Sequence, residues 1–142
     1  MATFNKFNQF VGDMPAKVHN LGSDTLKVML VNSPAPVATN SVKADLTDIT
    51  AGNGYTAGGT AVTVTASSQT SGTYKLVGNN VVFTASGGSI GPFRYAALYN
   101  DTPTAPAKPL IGWFDYGSSV TLLAGETLTV SFDQTNGILT IA

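Results

Sequence analysis

The chain of 142 residues contains no cysteine. This absence excludes a disulfide-stapled scaffold, a thiolate zinc site and a cysteine nucleophile. Charged residues are also scarce, at 11% of the chain, whereas a typical soluble domain has about 25%. The net charge is −1, and the basic residues are scattered, so a nucleic-acid partner bound through clustered positive charge is not expected.

Long apolar runs are missing as well. No stretch approaches the roughly 20 apolar residues of a membrane-spanning helix. The start of the chain, MATFNKFNQF, lacks the apolar region of a signal peptide. We therefore expect a soluble protein made in the cytoplasm, with no membrane partner and, from its length, a single domain.

Neutral polar residues take the place of charge on the expected surface. Hydrophobic residues make up 43% of the chain, and threonine, serine, asparagine and glycine supply most of the rest. A weakly charged surface of this kind has little self-repulsion and associates easily. The composition therefore favours a protein that works within an assembly.

The first 22 residues show a helical spacing of apolar residues. Steps of three and four separate Phe4, Phe7, Val11, Met14, Val18 and Leu21, which is the period of one helix face. Pro15 interrupts a single long helix, and Asp13 is suited to cap a second one that ends at Gly22. The pattern predicts an amphipathic helical segment over residues 1–22, ahead of a β-domain over residues 23–142.

From residue 25 the period changes to two. Short segments rich in β-branched and aromatic residues recur between turn residues. They are Thr25–Val31, Thr60–Ala66, Thr73–Val77, Val81–Ala85, Phe93–Tyr99, Leu110–Tyr116, Val120–Leu123, Thr127–Phe132 and Ile138–Ile141. A hairpin turn is predicted at residues 78–80, and a tight turn suited to type I′ geometry at Asn136-Gly137. No crossover helices separate the strands, so we expect an all-β sandwich of about eight strands, jelly-roll-like in topology.

Residues suited to catalysis do not form a recognisable set. His19 is the single histidine and Glu126 the single glutamate. No nucleophile-elbow motif surrounds a serine. Asp115 and Asp133 lie at predicted strand ends, where capping a turn is the ordinary role. We expect no catalytic residues, and therefore a protein that is not an enzyme.

Metal and cofactor sites are equally weak in the sequence. Asp45 and Asp48 could ligate calcium, but two carboxylates three residues apart fall far short of an EF-hand loop. The glycine-rich loop Ala51–Gly59 lacks the Lys-Ser/Thr pair of a phosphate-binding loop. We expect no metal and no cofactor.

Four aromatic residues are the candidates for partner contacts. Phe4, Phe7 and Phe10 either cover an open end of the sandwich or dock onto a partner. Tyr55, at the centre of the glycine-rich loop, is either an exposed contact or an anchor of the loop in the core.

Later aromatic residues fall on strands. By parity Phe93, Tyr95 and Tyr99 share one strand face, and Phe114 and Tyr116 share another. These faces belong either to the core or, with Trp113, to a carbohydrate-binding platform.

Several stretches resemble the decoration, or cement, proteins of tailed-phage capsids. They are the start FNKFNQFVGDMPAKVHNLGSDTLKVML, the loop AGNGYTAGG and the runs GPFRYAALYND and LIGWFDYGSSVTL. The resemblance extends from Phe4 to about Asn136. It implies a jelly-roll-like sandwich on the outer surface of the virion capsid, between major capsid proteins.

The resemblance and the composition lead to one expected function. We expect a virion structural protein that binds the major capsid protein and stabilises contacts between its copies. A second copy of the chain, in a homodimer or homotrimer, is the other expected partner. The alternatives are a structural domain of a phage tail, fibre or baseplate, and a glycan-binding β-sandwich module.

Overall fold

The structure is a computed structural model that describes residues 2–142 and shows an all-β protein with one short helix. The helix α1 spans Asn8–Asp13, and Lys43–Asp45 form a 3-10 turn. The strands are β1 (Phe4–Lys6), β2 (Leu26–Val31), β3 (Thr60–Ala61), β4 (Val64–Thr70), β5 (Thr73–Gly78), β6 (Val81–Thr84), β7 (Ile90–Asn100), β8 (Leu110–Leu122), β9 (Thr127–Val130) and β10 (Leu139–Ile141). The prediction of an all-β fold is confirmed, and the predicted N-terminal helical segment is present only as the six-residue α1. No helix among these residues has the length and apolar character to span a membrane.

The strands form three antiparallel sheets. A five-stranded sheet has the order β1-β8-β7-β2-β3, a three-stranded sheet has the order β10-β5-β4, and β6 pairs with β9. Leu30, Leu98 and Ile111 of the large sheet share one core with Leu76 and Phe83 of the two smaller sheets. The large sheet therefore packs against the smaller ones, which makes a β-sandwich.

A second apolar cluster lies on the opposite face of the large sheet. Met29, Tyr99 and Leu110 project from this face, and Phe7 and Leu46 cover it. Burial on both faces explains why β2 is a nearly continuous apolar run rather than an alternating one.

The predicted helical segment over residues 1–22 is mostly wrong. Phe4 lies in β1, which pairs with β8 opposite Phe114, and Gly112 leaves room for the Phe4 ring. Helix α1 has only six residues, and turns replace the second helix expected after Pro15. The reason is tertiary: Phe4 and Phe10 pack on one core and Phe7 on the other, whereas a single helix would direct all three to one side.

Both predicted turns lie where the chain passes from one sheet to another, and the hairpin prediction is wrong for the first. β5 pairs with β4 and β10, whereas β6 pairs with β9. Residues 78–80 therefore connect two sheets and do not form a hairpin. Asn136 and Gly137 do lie in a tight turn, which the Gly137 N–H closes by donating to the Asp133 carbonyl at 2.9 Å. This turn lies on the connection between β9 and β10, which belong to different sheets.

Candidate functional site

The three N-terminal phenylalanines are part of the core rather than a free surface. Phe7 is 0% exposed and stacks on Trp113 with 4.5 Å between ring centroids. Phe10 is 6% exposed, and Phe4 is half-buried against Phe114. Of the two alternatives, the structure shows the one in which the segment covers the sandwich. For Phe7 and Phe10 the prediction of a contact with a partner is therefore wrong, because both rings are buried within the chain.

Tyr55 is also a core residue, with 2% of its surface exposed. Its hydroxyl accepts a hydrogen bond from the Leu30 N–H at 2.9 Å and donates one to the Asp48 carboxylate. Burial and the Asp48 partner raise the pKa of the phenol. The prediction of Tyr55 as an exposed contact is therefore wrong, and the residue anchors its loop to β2.

Asp45 and Asp48, the two candidate calcium ligands, accept hydrogen bonds from loops of this chain. Asp45 accepts hydrogen bonds from the N–H groups of Ser41 and Val42 at 2.8 and 3.1 Å, and these donors lower its pKa. Asp48 accepts from Tyr55 and, at 2.6 Å, from the Gly58 N–H. Within residues 2–142, no three histidine or acidic side chains converge in a way that could hold a metal ion.

His19 belongs to a buried polar cluster that ties the N-terminal segment to β7. Its Nδ1 lies 3.1 Å from the Asn100 Nδ2, which also donates to Asp24 at 2.6 Å. The Thr102 N–H donates to the Asn100 Oδ1 and so fixes the orientation of that amide. The Asn100 amide is a donor here, so Nδ1 accepts and the ring is neutral. The other nitrogen, Nε2, lies 3.9 Å from Asp13.

A cleft lined mostly by apolar side chains lies between the large sheet and β9. It has a volume of about 240 Å³, and we call it the β9 cleft. Apolar side chains of Phe93, Phe114, Leu128 and Val130 line it, together with Tyr116. Tyr116 is 59% exposed, so the cleft presents an accessible aromatic ring beside a buried apolar floor. The predicted common face of Phe114 and Tyr116 agrees with this arrangement.

An ion pair lies at the rim of the β9 cleft. The Arg94 guanidinium donates to both carboxylate oxygens of Asp115, at 2.8 and 3.0 Å, and this contact lowers the pKa of the carboxyl. The guanidinium also lies 5.4 Å from the centroid of the Tyr95 ring. Trp113 packs with the opposite cluster around Phe7, so it does not form a carbohydrate platform with the aromatic residues of the cleft.

The hairpin of β4 and β5 is the second accessible feature, and sequence reasoning missed it. Residues 65–73 are all exposed. Ser71 and Gly72 form the turn with φ angles of 51° and 83°, which are typical of a type I′ hairpin. The Ser-Gly pair could have indicated this turn, but the weak β-propensity of Ala66–Gln69 concealed the strand before it.

The chain was also compared with known proteins. No family model, curated protein or solved structure matches it.

Proposed function

We propose that this protein is a capsid decoration protein of a tailed phage. It binds the outer surface of the phage head through the β9 cleft and stabilises contacts between major capsid proteins. The resemblance in sequence supplies the partner, and the geometry of the cleft supplies the mode of binding. No chemical step is part of this function.

The single observation that carries the proposal is the composition of the β9 cleft. Protein interfaces combine an apolar centre with a polar rim and are enriched in tyrosine and arginine. The cleft has an apolar floor that includes Phe93 and Phe114, the exposed ring of Tyr116, and the Arg94–Asp115 pair at its rim. An apolar side chain or loop of a capsid protein fits this surface.

The rigidity of the surrounding sandwich supports the same function. The cleft lies on β7, β8 and β9, and the large sheet is packed on both faces. A preorganised surface loses little conformational freedom on binding. A small contact on such a scaffold can therefore contribute measurable affinity when many copies bind one shell.

A binding assay with two matched variants tests the proposal. Expanded capsids assembled without this protein, from the major capsid protein of the same genome, are mixed with the purified chain and sedimented. We expect the wild-type chain to sediment with the capsids. Tyr116→Ala should weaken binding by roughly tenfold, because an aromatic anchor at an interface contributes on the order of 1–2 kcal/mol or more.

Leu123→Ala is the matched control. Leu123 is also 59% exposed but does not line the cleft, so this variant should bind as the wild type does. Absence of wild-type binding, or equal weakening by both variants, contradicts the proposal. Labelled protein located on tails instead of heads in whole virions would favour the alternative of a tail, fibre or baseplate domain.

A further inference from the structure

We propose that β4 pairs with β4 of a second copy of this chain. The two strands run antiparallel about a twofold axis and join two three-stranded sheets into one continuous sheet. This inference deepens the proposed function by naming the surface through which neighbouring copies contact each other. It is tested on the protein alone, without capsids.

β4 is the longest of the strands that end a sheet in the described part of the chain. It has seven residues, whereas β1, β3 and β10 have three, two and three, and β6 and β9 have four each. Short edges, charges and prolines are the usual protection against pairing with another chain. Residues 61–74 contain no proline and no charged residue, so β4 lacks all three forms of protection.

The backbone of β4 directs unpaired groups outward. Thr70 and Thr73 flank the two-residue turn and are opposite each other, so they form a hydrogen-bonded pair. Pairs alternate along the ladder, which makes Ser68 and Lys75 a bonded pair and turns the N–H and C=O of Ser67 and Gln69 away from β5. Within residues 2–142, no backbone group outside the strand ladder bonds to these outward groups.

A second copy of β4 complements this edge. The regular part of the strand runs from Ala66 to Thr70, after a bulge that follows Val64. Its symmetric antiparallel pairing centres on Ser68, with Ser67 opposite Gln69 of the partner subunit. Outward donors and acceptors then meet and form four N–H···O bonds in an isologous contact. The neutral side chains produce no charge repulsion across the axis.

The strand is held in position for this contact. The Ser67 hydroxyl lies 2.8 Å from the Tyr74 hydroxyl across the hairpin. Gly22 packs against Ser67, and a Cβ at Gly22 would lie 2.8 Å from its Oγ. A strand pair of this length is smaller than the interface of a stable dimer, which buries at least about 1,000 Å² in total. The dimer is therefore weak in dilute solution, and binding of many copies to one shell strengthens it.

Cysteine crosslinking tests the proposed twofold axis between the two β4 strands. The chain has no cysteine of its own, so any disulfide comes from the introduced residue. In the proposed pair, the two copies of residue 68 form a non-hydrogen-bonded pair with Cα atoms about 4.5 Å apart, a distance that permits a disulfide. Ser68→Cys should therefore form disulfide-linked dimers at least about tenfold faster than Thr73→Cys. Thr73 is exposed on the same hairpin, but it lies one strand away from the edge.

Two glutamate variants test the equilibrium between monomer and dimer. Ser68→Glu places a carboxylate opposite Lys75 within the chain, which is compatible with the fold, but it sets two carboxylates against each other across the axis. In sedimentation at high protein concentration we expect a wild-type dimer. Its dissociation constant should rise by about tenfold or more in Ser68→Glu and change less than about twofold in Thr73→Glu.

A wild-type chain that stays monomeric overturns the inference. So does equal crosslinking of the two cysteine variants, or equal weakening by the two glutamate variants. Capsid binding by the monomeric Ser68→Glu variant would leave the proposed function intact. A dimer that binds no capsid would instead reject the proposed function and keep the inference.

Discussion

Tyr55 and Tyr99 hold the loop between β2 and β3 on the large sheet. The Tyr55 hydroxyl bridges Leu30 and Asp48, and the Tyr99 hydroxyl donates to the Gly58 carbonyl at 2.6 Å. Buried polar groups of this kind destabilise the fold when one partner is removed, because the other is left without a hydrogen bond. The loop is therefore fixed at a few specific atoms.

Tyr55→Phe tests this anchor. The variant leaves the Leu30 N–H and one Asp48 oxygen without their partner, and we expect the free energy of unfolding to fall by about 1–3 kcal/mol. Tyr116→Phe removes the hydroxyl of an exposed tyrosine and should change it by less than about 0.5 kcal/mol. Urea denaturation measures both values, and equal losses would contradict the role of Tyr55.

His19 makes stability depend on pH. Burial lowers its pKa below the usual 6.5, although the Asp13 and Asp24 carboxylates oppose this shift. The unfolded chain therefore takes up a proton at higher pH than the folded one, and stability falls as the pH decreases below about 6.5. Protonation at Nδ1 would also place two donors, His19 and Asn100, against each other.

The measurement is thermal unfolding between about pH 7 and pH 5. The wild-type melting temperature should decrease over this range. His19→Gln should show a smaller decrease, because the titrating group is gone. Parallel pH curves for the two proteins would show that His19 is not the cause.

At the scale of elements, the N-terminal segment is a structural part of the sandwich. Phe7→Ala removes a fully buried ring and should lower the free energy of unfolding by about 3–5 kcal/mol. Val11→Ala, at a residue of the same segment that is 54% exposed, should change it by less than about 0.5 kcal/mol. If urea denaturation gives similar losses of unfolding free energy for the two variants, the N-terminal segment does not contribute to the core as described.

The local sequence pattern predicted many of the strands but not which strands pair with each other. Segments rich in β-branched and aromatic residues between turn residues identified most of β2, β5, β6, β7 and β9. It divided β8 into two strands, because Gly117 and the neighbouring serines resemble a turn. In the structure this stretch is a bulge, with Tyr95 opposite Asp115 and Phe93 opposite Val120. Long-range pairing with β7 keeps the strand continuous.

The same bulge explains an error in the predicted aromatic faces. Parity placed Phe93, Tyr95 and Tyr99 on one face, but the register shifts between Phe93 and Tyr95. Phe93 therefore belongs to the inner core and Tyr99 to the opposite cluster. Phe114 and Tyr116 both line the β9 cleft although Tyr116 lies in the bulge, so parity did predict one side of the cleft. Its other side comes from β9, which no local pattern connects to β8.

At the scale of the whole molecule, two surfaces that share no residue are available for binding. The β9 cleft has an apolar floor and an exposed tyrosine, and β4 has a neutral, unprotected edge. Charges elsewhere are partly paired, as in Lys27–Asp101 at 3.1 Å. One surface for the shell and one for a neighbouring copy would link copies into a network, in which weak contacts add up to strong retention.

The thermal stability of capsids tests the proposed cementing function most directly. Expanded capsids are heated with and without saturating amounts of the wild-type chain, and their disruption is followed by light scattering. We predict that the chain raises the disruption temperature, because it binds the intact shell more tightly than its separated subunits. An unchanged disruption temperature at saturation would contradict the account.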